Sequence, residues 1–370
     1  MHLNGFSYND EKTRGNYMKG IILHGGAGTR LRPLTFSGPK QLIPVANKPI
    51  SRYVLEDLRD NGIKNIAIIL GNIYPEKVIN YYGDGSKFDV KITYIHQGEP
   101  KGIAHAIGLC EEFVSGDNFV VYLGDNLLQY GIGKYMRKFE KGEYDGYILL
   151  KEVEDPTRFG IAKFDEKGKL VDVIEKPKQP PSNYAIIGVY FFKPTVFDII
   201  KQLKPSWRGE YEITDAIRLM MRKDYNIGYE ILDGWWFDTG KKDDILYVNS
   251  VILDERIKRD IKGEIFNSRV DGRATIMEGT KIINSVVRGP CIIGGKCIIQ
   301  DSYIGPYTSI GDCTKIIKSS VQYSVILENT TILEIDRLED SLIGSNAKIF
   351  KKGKGNTLRL HIGDYSELAL

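Results

Sequence analysis

Long apolar runs are missing from this chain. No stretch reaches the roughly 18 to 20 residues that a spanning helix needs, and the first 17 residues, MHLNGFSYNDEKTRGNY, lack the apolar centre of a signal peptide. The expectation is a cytoplasmic protein, with 1–17 a loose extension ahead of Met18. Cysteine is scarce: Cys110, Cys291, Cys297 and Cys313 show no CxxC spacing, which argues against a disulfide framework. His361 is the only histidine of the C-terminal part and has no paired partner, which argues against a Cys/His zinc site as well. Small buried hydrophobes is the better reading of the cysteines. An excess of one charge is also lacking. Lys plus Arg number 51 against 48 Asp plus Glu, a balance of +3, so the chain has no broad attraction for nucleic acid or membrane. Any basic site has to be local.

What is present divides into two rhythms. At 370 residues the chain exceeds the roughly 250 to 300 at which single cores stop growing, and two domains are expected. From Gly20 to about Trp236, short apolar runs (GIILH, NIAIILG, KITYIH, NFVVYLGD, YDGYILLKEV) alternate with helical stretches such as NKPISRYVLEDLRDNG, IAHAIGLCEEFV and TDAIRLMMRKDY. This is βαβ grammar, with the apolar runs read as buried parallel strands. The fold expected over 18–245 is α/β, a Rossmann-like domain with a mainly parallel sheet and helices on both faces. Residues 246–264 are expected to form a linking helix.

Beyond about residue 265 the helical period disappears. In ATIMEG, TKIINS, VVRGPC, IIGGKC, IIQDSY and IGPYTS an aliphatic residue returns about every six positions. Ile-Gly pairs recur at 293/294, 304/305, 310/311 and 343/344, and Asp271-Gly272 is the only Asn-Gly or Asp-Gly pair among these runs. Ordinary hairpins do not explain that spacing. A parallel β-helix does, with each six-residue unit making one flat side. It is expected over 265–350, with 351–370 as a tail; its left-handedness rests on likeness to hexapeptide proteins.

The most informative stretch is GIILHGGAGTRLRPLTFSGPKQLIPVANKPI. A strand delivers the chain into Gly25, Gly26, Ala27 and Gly28, small enough for backbone N–H groups to approach a phosphate. Leu31 breaks both GxxxxGK[ST] and GxGxxG. Arg30 and Lys40 add two cations that suit a triphosphate, although each alone is equally a solvated surface charge. Asp125 in LGDN and Asp238 in WWFDTG are acids from distant segments, the kind of pair that Mg²⁺ accepts together with phosphate oxygens and water. Either alone is nearly as well read as a helix cap.

GGAGTRLRPLT with PKQLIPVANKPI resembles the signature of the sugar-phosphate nucleotidyltransferases, especially the glucose-1-phosphate thymidylyltransferases. The match continues through QGEPKGIAHAI, LGDN, FGIAKFD, EKP, YAIIGVYFF, RGEYEITD and WWFDTG, covering about 18–245, and longer members of the superfamily carry a similar hexapeptide region. The resemblance implies that Gly25, Gly26, Ala27, Gly28 and Thr29 wrap the triphosphate, while Arg30, Lys40 and Lys176 are the catalytic cations. It implies that Asp125 and Asp238 hold Mg²⁺, with Asp125 also on the nucleotide side. Gln97 and Gly102 form the base pocket, an amide both donating to and accepting from thymine or uracil. Gly160, Glu175, Lys176, Gly188, Tyr190 and Trp236 fall on the sugar-phosphate side, although aromatics in apolar runs are more often core. The implied reaction is attack of glucose 1-phosphate on the α-phosphorus of dTTP or UTP.

His24 and His105 stand where the family usually has a small residue and a glutamine; the His24 side chain has the bulk to crowd or contact the nucleotide, but a neutral local variant is the better reading of both. A different base or sugar, such as GTP with mannose 1-phosphate, and a non-catalytic regulatory subunit are the alternatives. Retention of Arg30, Lys40, Asp125, Lys176 and Asp238 argues for an enzyme. Residues 265–350 contain no histidine, which argues against acyl transfer by the repeats. They are expected instead to mediate homo-oligomerisation or regulation, with a trimer favoured by analogy.

Overall fold

A computed structural model describes residues 18–350 and 360–369; the expected extension 1–17 lies outside the described residues. Lys19–His24 is an inner strand of a nine-stranded sheet, flanked in parallel by Asn65–Leu70 and Phe119–Leu123, with Lys91–His96 at the edge. Its aliphatic run is buried on both faces. Ile22 enters one apolar layer with Val54, Leu58 and Tyr82, and Ile21 and Leu23 enter the other with Ile107 and Ile217.

Beyond Phe119–Leu123 the strand directions change. Tyr184–Phe192 lies antiparallel to it and then forks, pairing antiparallel with Gly146–Glu152 on one branch and with Gly160–Phe164 on the other. Leu170–Glu175 completes the second branch, antiparallel, and Ile227–Ile231 the first, parallel. The run YDGYILLKEV, expected to be a parallel strand, is therefore antiparallel to its long neighbour. Burial on both faces produces a continuous apolar run whatever the strand direction.

A short ribbon decides where the site lies. Trp236–Asp238 pairs antiparallel with Asn126–Leu128, so that Asp238 faces Asn126. It brings together two segments more than a hundred residues apart.

The helix expected at 246–264 runs Lys242–Arg256. Three sheets of stacked parallel strands follow, and their short period fits a left-handed parallel β-helix. Lys281, Ile298 and Lys315 stack on one another, so one coil takes 17 residues. The inward column Ile282, Ile299, Ile316, Ile332 and Ile349 is 0% exposed, and burying each such side chain contributes about 1.5–3 kcal/mol. The stack outruns its expected limits at both ends, from Asp260–Ile261 to Glu367–Ala369. Of the residues expected as a tail, 360–369 add a further partial coil, because Ile362 and Leu368 continue the apolar packing; 351–359 and 370 lie outside the described residues. Cys110, Cys291 and Cys297 are buried free thiols; Cys313 is exposed.

The two parts share an apolar layer. Leu31, Leu34, Ile43 and Val45 of the first pack with Ile245, Val248 and Ile252 of the helix and with Val325 and Leu342 of the β-helix. One sheet of the β-helix thus backs onto the segment that follows the glycine loop.

Candidate active site

The loop leaves the strand at His24 and reaches the short 3-10 turn Thr29–Leu31 through Gly28, whose φ of +58° suits glycine. Two contacts tie it from behind. Thr35 Oγ1 donates to the Gly28 carbonyl at 2.8 Å, and Gln41 Nε2 donates to the Gly25 carbonyl at 2.8 Å. Among the described residues, the amides of Gly26, Ala27 and Gly28 donate to no protein group. Gly26, Ala27 and Thr29 are exposed. A turn with its carbonyls held back and its N–H groups free is built to receive an anion.

Beside the loop, Lys40 forms an ion pair with Asp125, which is 6% exposed. Burial pushes the Asp125 carboxyl upward, but the charge and hydrogen bond of Lys40 outweigh it and hold the pKa below the usual range. Burial likewise opposes the charge on Lys40, and Asp125 more than restores it. Asp238 shows the reverse: burial, then repulsion from Asp125, raise its pKa. Asp238 therefore senses the charge of Asp125 across the ribbon. Thr239 fastens the arrangement, its Oγ1 donating to the Asp125 carbonyl at 2.8 Å. The Arg30 guanidinium lies against Gly240, where an added Cβ would come within 3.1 Å of Nη2.

On the far side, Glu175 ends its strand opposite Gly160 and accepts from Thr214 Oγ1 at 3.1 Å. Lys176 Nζ lies 3.7 Å from Glu175, and Arg208 Nη1 lies 3.6 Å from it and 3.1 Å from Glu212. Asn126 gathers two more expected residues: Trp236 Nε1 donates to its Oδ1 at 2.7 Å and the Gly188 amide at 3.3 Å. Gln97 bridges the loops, its Nε2 donating to the Gly102 carbonyl at 3.3 Å, while its Oε1 would stand 3.1 Å from a Cβ at Gly25.

The "Nucleotidyl transferase" family profile matches residues 19–255. The chain is 45% identical over 361 residues to the low-salt glycan biosynthesis nucleotidyltransferase Agl11 of Haloferax volcanii, covering 95% of this chain and 100% of that protein. It belongs to the nucleotidyl transferase family. It is also 41% identical to a glucose-1-phosphate thymidylyltransferase of Streptomyces antibioticus, covering 95% of this chain and 99% of that one. Among solved structures, a Bacillus anthracis protein assigned as a glucose-1-phosphate thymidylyltransferase and crystallised with sucrose aligns with a TM-score of 0.61 at 39% identity. It covers 65% of this chain and 98% of that one.

Within this nucleotidyl transferase, several residues sit differently from expectation. Tyr190 is a core ring, 4% exposed and stacked on Phe192 rather than facing an open pocket. Gly102 is needed for close packing on the protein itself, since a Cβ there would meet the Tyr211 carbonyl oxygen at 2.5 Å. His24 turns away from the loop into the apolar layer, edge-on to Tyr82 with ring centroids 6.0 Å apart. Burial lowers its pKa to about 3, so it is neutral, and neither ring nitrogen has a partner. His105 stacks on Tyr211.

Asn126, Arg208, Glu212 and Thr239 are site residues whose roles the sequence does not reveal. Arg208 and Glu212 lie in RGEYEITD, and Asn126 in LGDN, so the motifs were visible. Their partners in space were not.

Proposed function

We propose that the chain transfers a nucleotidyl group from dTTP or UTP to glucose 1-phosphate, giving the nucleoside diphosphate sugar and pyrophosphate. The observation that carries this reading is the Lys40–Asp125–Asp238 cluster set beside a glycine loop whose amides are free. Names of relatives point the same way, since thymidylyltransferases recur among them.

The chemistry asks the protein mainly for placement and charge. A phosphate oxygen of the sugar phosphate attacks the α-phosphorus, the bond to the β-phosphate oxygen breaks, and pyrophosphate carries away the electron pair. Gly26 to Gly28 and Arg30 would hold the triphosphate. Lys176, standing beside Glu175, would hold the sugar phosphate while Glu175 takes sugar hydroxyls. Gln97 would read the pyrimidine edge.

Asp125 and Asp238 fit a divalent ion by their chemistry, being a buried and a half-buried acid from distant segments, the first of which raises the proton affinity of the second. Mg²⁺ held there would neutralise phosphate charge in the transition state. Among the described residues no group of three or more His, Cys, Asp or Glu forms a metal cage, which suits an ion that relies on substrate oxygens for the rest of its shell. Self-association through the β-helix is part of the same proposal; its first coil exposes Ile265 and Phe266, 36% and 48%. No helix among the described residues is long and apolar enough to cross a membrane.

The test is pyrophosphate release across a matrix of nucleoside triphosphates and sugar 1-phosphates, with Mg²⁺ and with EDTA. Expected is metal-dependent release, highest with glucose 1-phosphate and dTTP or UTP; preference for GTP or ATP would overturn the base assignment. Asp238→Ala should keep the fold and lose at least about 100-fold in turnover, the size seen when one electrostatic group of a transition-state clamp is removed. Full turnover in that variant would reject the metal role.

A further inference from the structure

Lys40 is held from two sides. Toward the site, its segment meets the glycine loop through Thr35 and Gln41 and meets Asp125 through Lys40 itself. On the other side the same segment is fastened to the β-helix on both flanks of Lys40. Three residues before it, Ser37 Oγ donates to Asp364 Oδ2 at 2.7 Å. Seven residues after it, Asn47 Nδ2 donates to the Ile310 carbonyl at 2.6 Å.

The second anchor is the more constrained. Ala46 and Asn47 form the turn between the strands Pro44–Val45 and Lys48–Pro49, and both have positive φ, 46° and 58°. A non-glycine residue in that region carries strain that its surroundings must hold in place. The holding group is Asn249, 1% exposed on the helix Lys242–Arg256. Its Oδ1 accepts from the Ala46 amide at 2.9 Å and from Ser309 Oγ at 2.6 Å, and its Nδ2 donates to the Tyr307 carbonyl at 3.1 Å. One buried amide thus joins the turn, the linking helix and the β-helix through three hydrogen bonds.

We infer that Asn47, Asn249 and Asp364 are positioning residues for the transfer reaction, through which the β-helix sets the pose of Lys40 and the glycine loop. The C-terminal module then contributes to turnover directly and not only to assembly. This rests on the role proposed for Lys40, but the contacts themselves do not.

The test uses the full chain and three variants. Asn47→Ala removes the anchor to Ile310, Asp364→Ala removes the anchor to Ser37, and Asp364→Asn restores the latter, because its amide can donate to Ser37 Oγ while its oxygen keeps the Ser345 amide. Expected are kcat losses of about 5- to 20-fold in the two alanine variants, KM for glucose 1-phosphate within about twofold, and recovery of most of kcat in Asp364→Asn. Hydrogen–deuterium exchange gives a readout independent of turnover: uptake in residues 28–43 should rise in both alanine variants while the strands at 65–70 and 119–123 stay protected. Unchanged kcat with unchanged exchange at 28–43 would overturn the inference, as would a fall in melting temperature with kcat intact. If no substrate pair is turned over, the proposed function fails, and the exchange measurement still decides whether the β-helix holds the Lys40 segment.

Discussion

In the β-helix, Ser285, Ser302 and Ser319 each accept an amide from the next coil, Ser302 N at 3.0 Å, Ser319 N at 3.1 Å and Ile335 N at 3.0 Å. Behind the glycine loop the pattern is different: both nitrogens of His24 and Oε1 of Gln41 are buried without a partner. Each open buried group costs roughly 1–3 kcal/mol. The difference follows from how the two regions are built. A repeat finds one arrangement that satisfies its polar groups and copies it every 16 or 17 residues, the unbonded His361 Nε2 marking the last coil. The site is assembled from segments that meet once, and its groups are set by what they face.

If that contrast is sound, the two regions fail in different ways. Ile316 is fully buried in the β-helix on a sheet other than the one whose Val325 and Leu342 pack against the segment after the glycine loop. Ile316→Ala should lower unfolding free energy by about 2–5 kcal/mol, the largest stability loss expected from a single truncation in the repeats, while turnover of the folded fraction changes less than twofold. Denaturation with urea alongside pyrophosphate release checks both halves. Turnover that falls in step with stability would break the separation.

The same contrast explains what was legible in the residues. The return of Ile about every six positions made the β-helix readable, because a repeated packing site leaves a repeated letter; Ile282, Ile299 and Ile316 are one column seen three times. In the α/β portion, alternation of apolar runs and helices gave the layers but not the strand directions, since Gly146–Glu152 is equally buried parallel or antiparallel. The glycine loop and the acids Asp125 and Asp238 stood out through their motifs. Asn126 and Arg208 did not, for their roles lie in contacts with Trp236, Gly188 and Glu175 that only folding creates. Gly102 was noticed for the right letter, but the reason is Tyr211. Asn249, an unremarkable polar residue on a helix, is a junction only because Ala46 and Ser309 arrive from either side.

Asp57 of the α/β portion has a buried oxygen, Oδ2, outside normal hydrogen-bond geometry, with Tyr122 the hydroxyl that interacts with this carboxyl. Burial, only partly offset by the Ile132 amide, raises its pKa from 3.8 to about 6. The folded protein therefore holds this proton more tightly than the unfolded chain does. Its contribution is most favourable below pH 3.8 and is lost as pH rises through about 6. At about 1.36 kcal/mol per unit, reduced for the partial exposure of the side chain, the loss is on the order of 2 kcal/mol. Asp57→Asn keeps an acceptor for Ile132 N and cannot ionise, so it should stabilise the protein by that amount at pH 8 and by little at pH 4. Melting curves at the two pH values check this; equal shifts at both would show that the carboxylate is already satisfied.

The smallest effect tests the serine ladder itself. Ser302 Oγ donates to the Gln300 carbonyl at 2.6 Å while accepting from Ser319 N, so Ser302→Ala leaves the Ser319 amide without a partner inside the coil, whereas the Gln300 carbonyl keeps the Lys318 amide. The expected cost is about 1–2 kcal/mol, with turnover unchanged. Ser285→Ala should cost about the same, being one coil away with the same bonds. Together the two should cost less than their sum, by about 0.5 kcal/mol or more, because the Ser302 amide donates to Ser285 Oγ and the second removal acts on a coil that the first has already loosened. Strict additivity in that double-mutant cycle would mean that the coils satisfy their polar groups one at a time, and the repeat would then owe its regularity to the isoleucine columns alone.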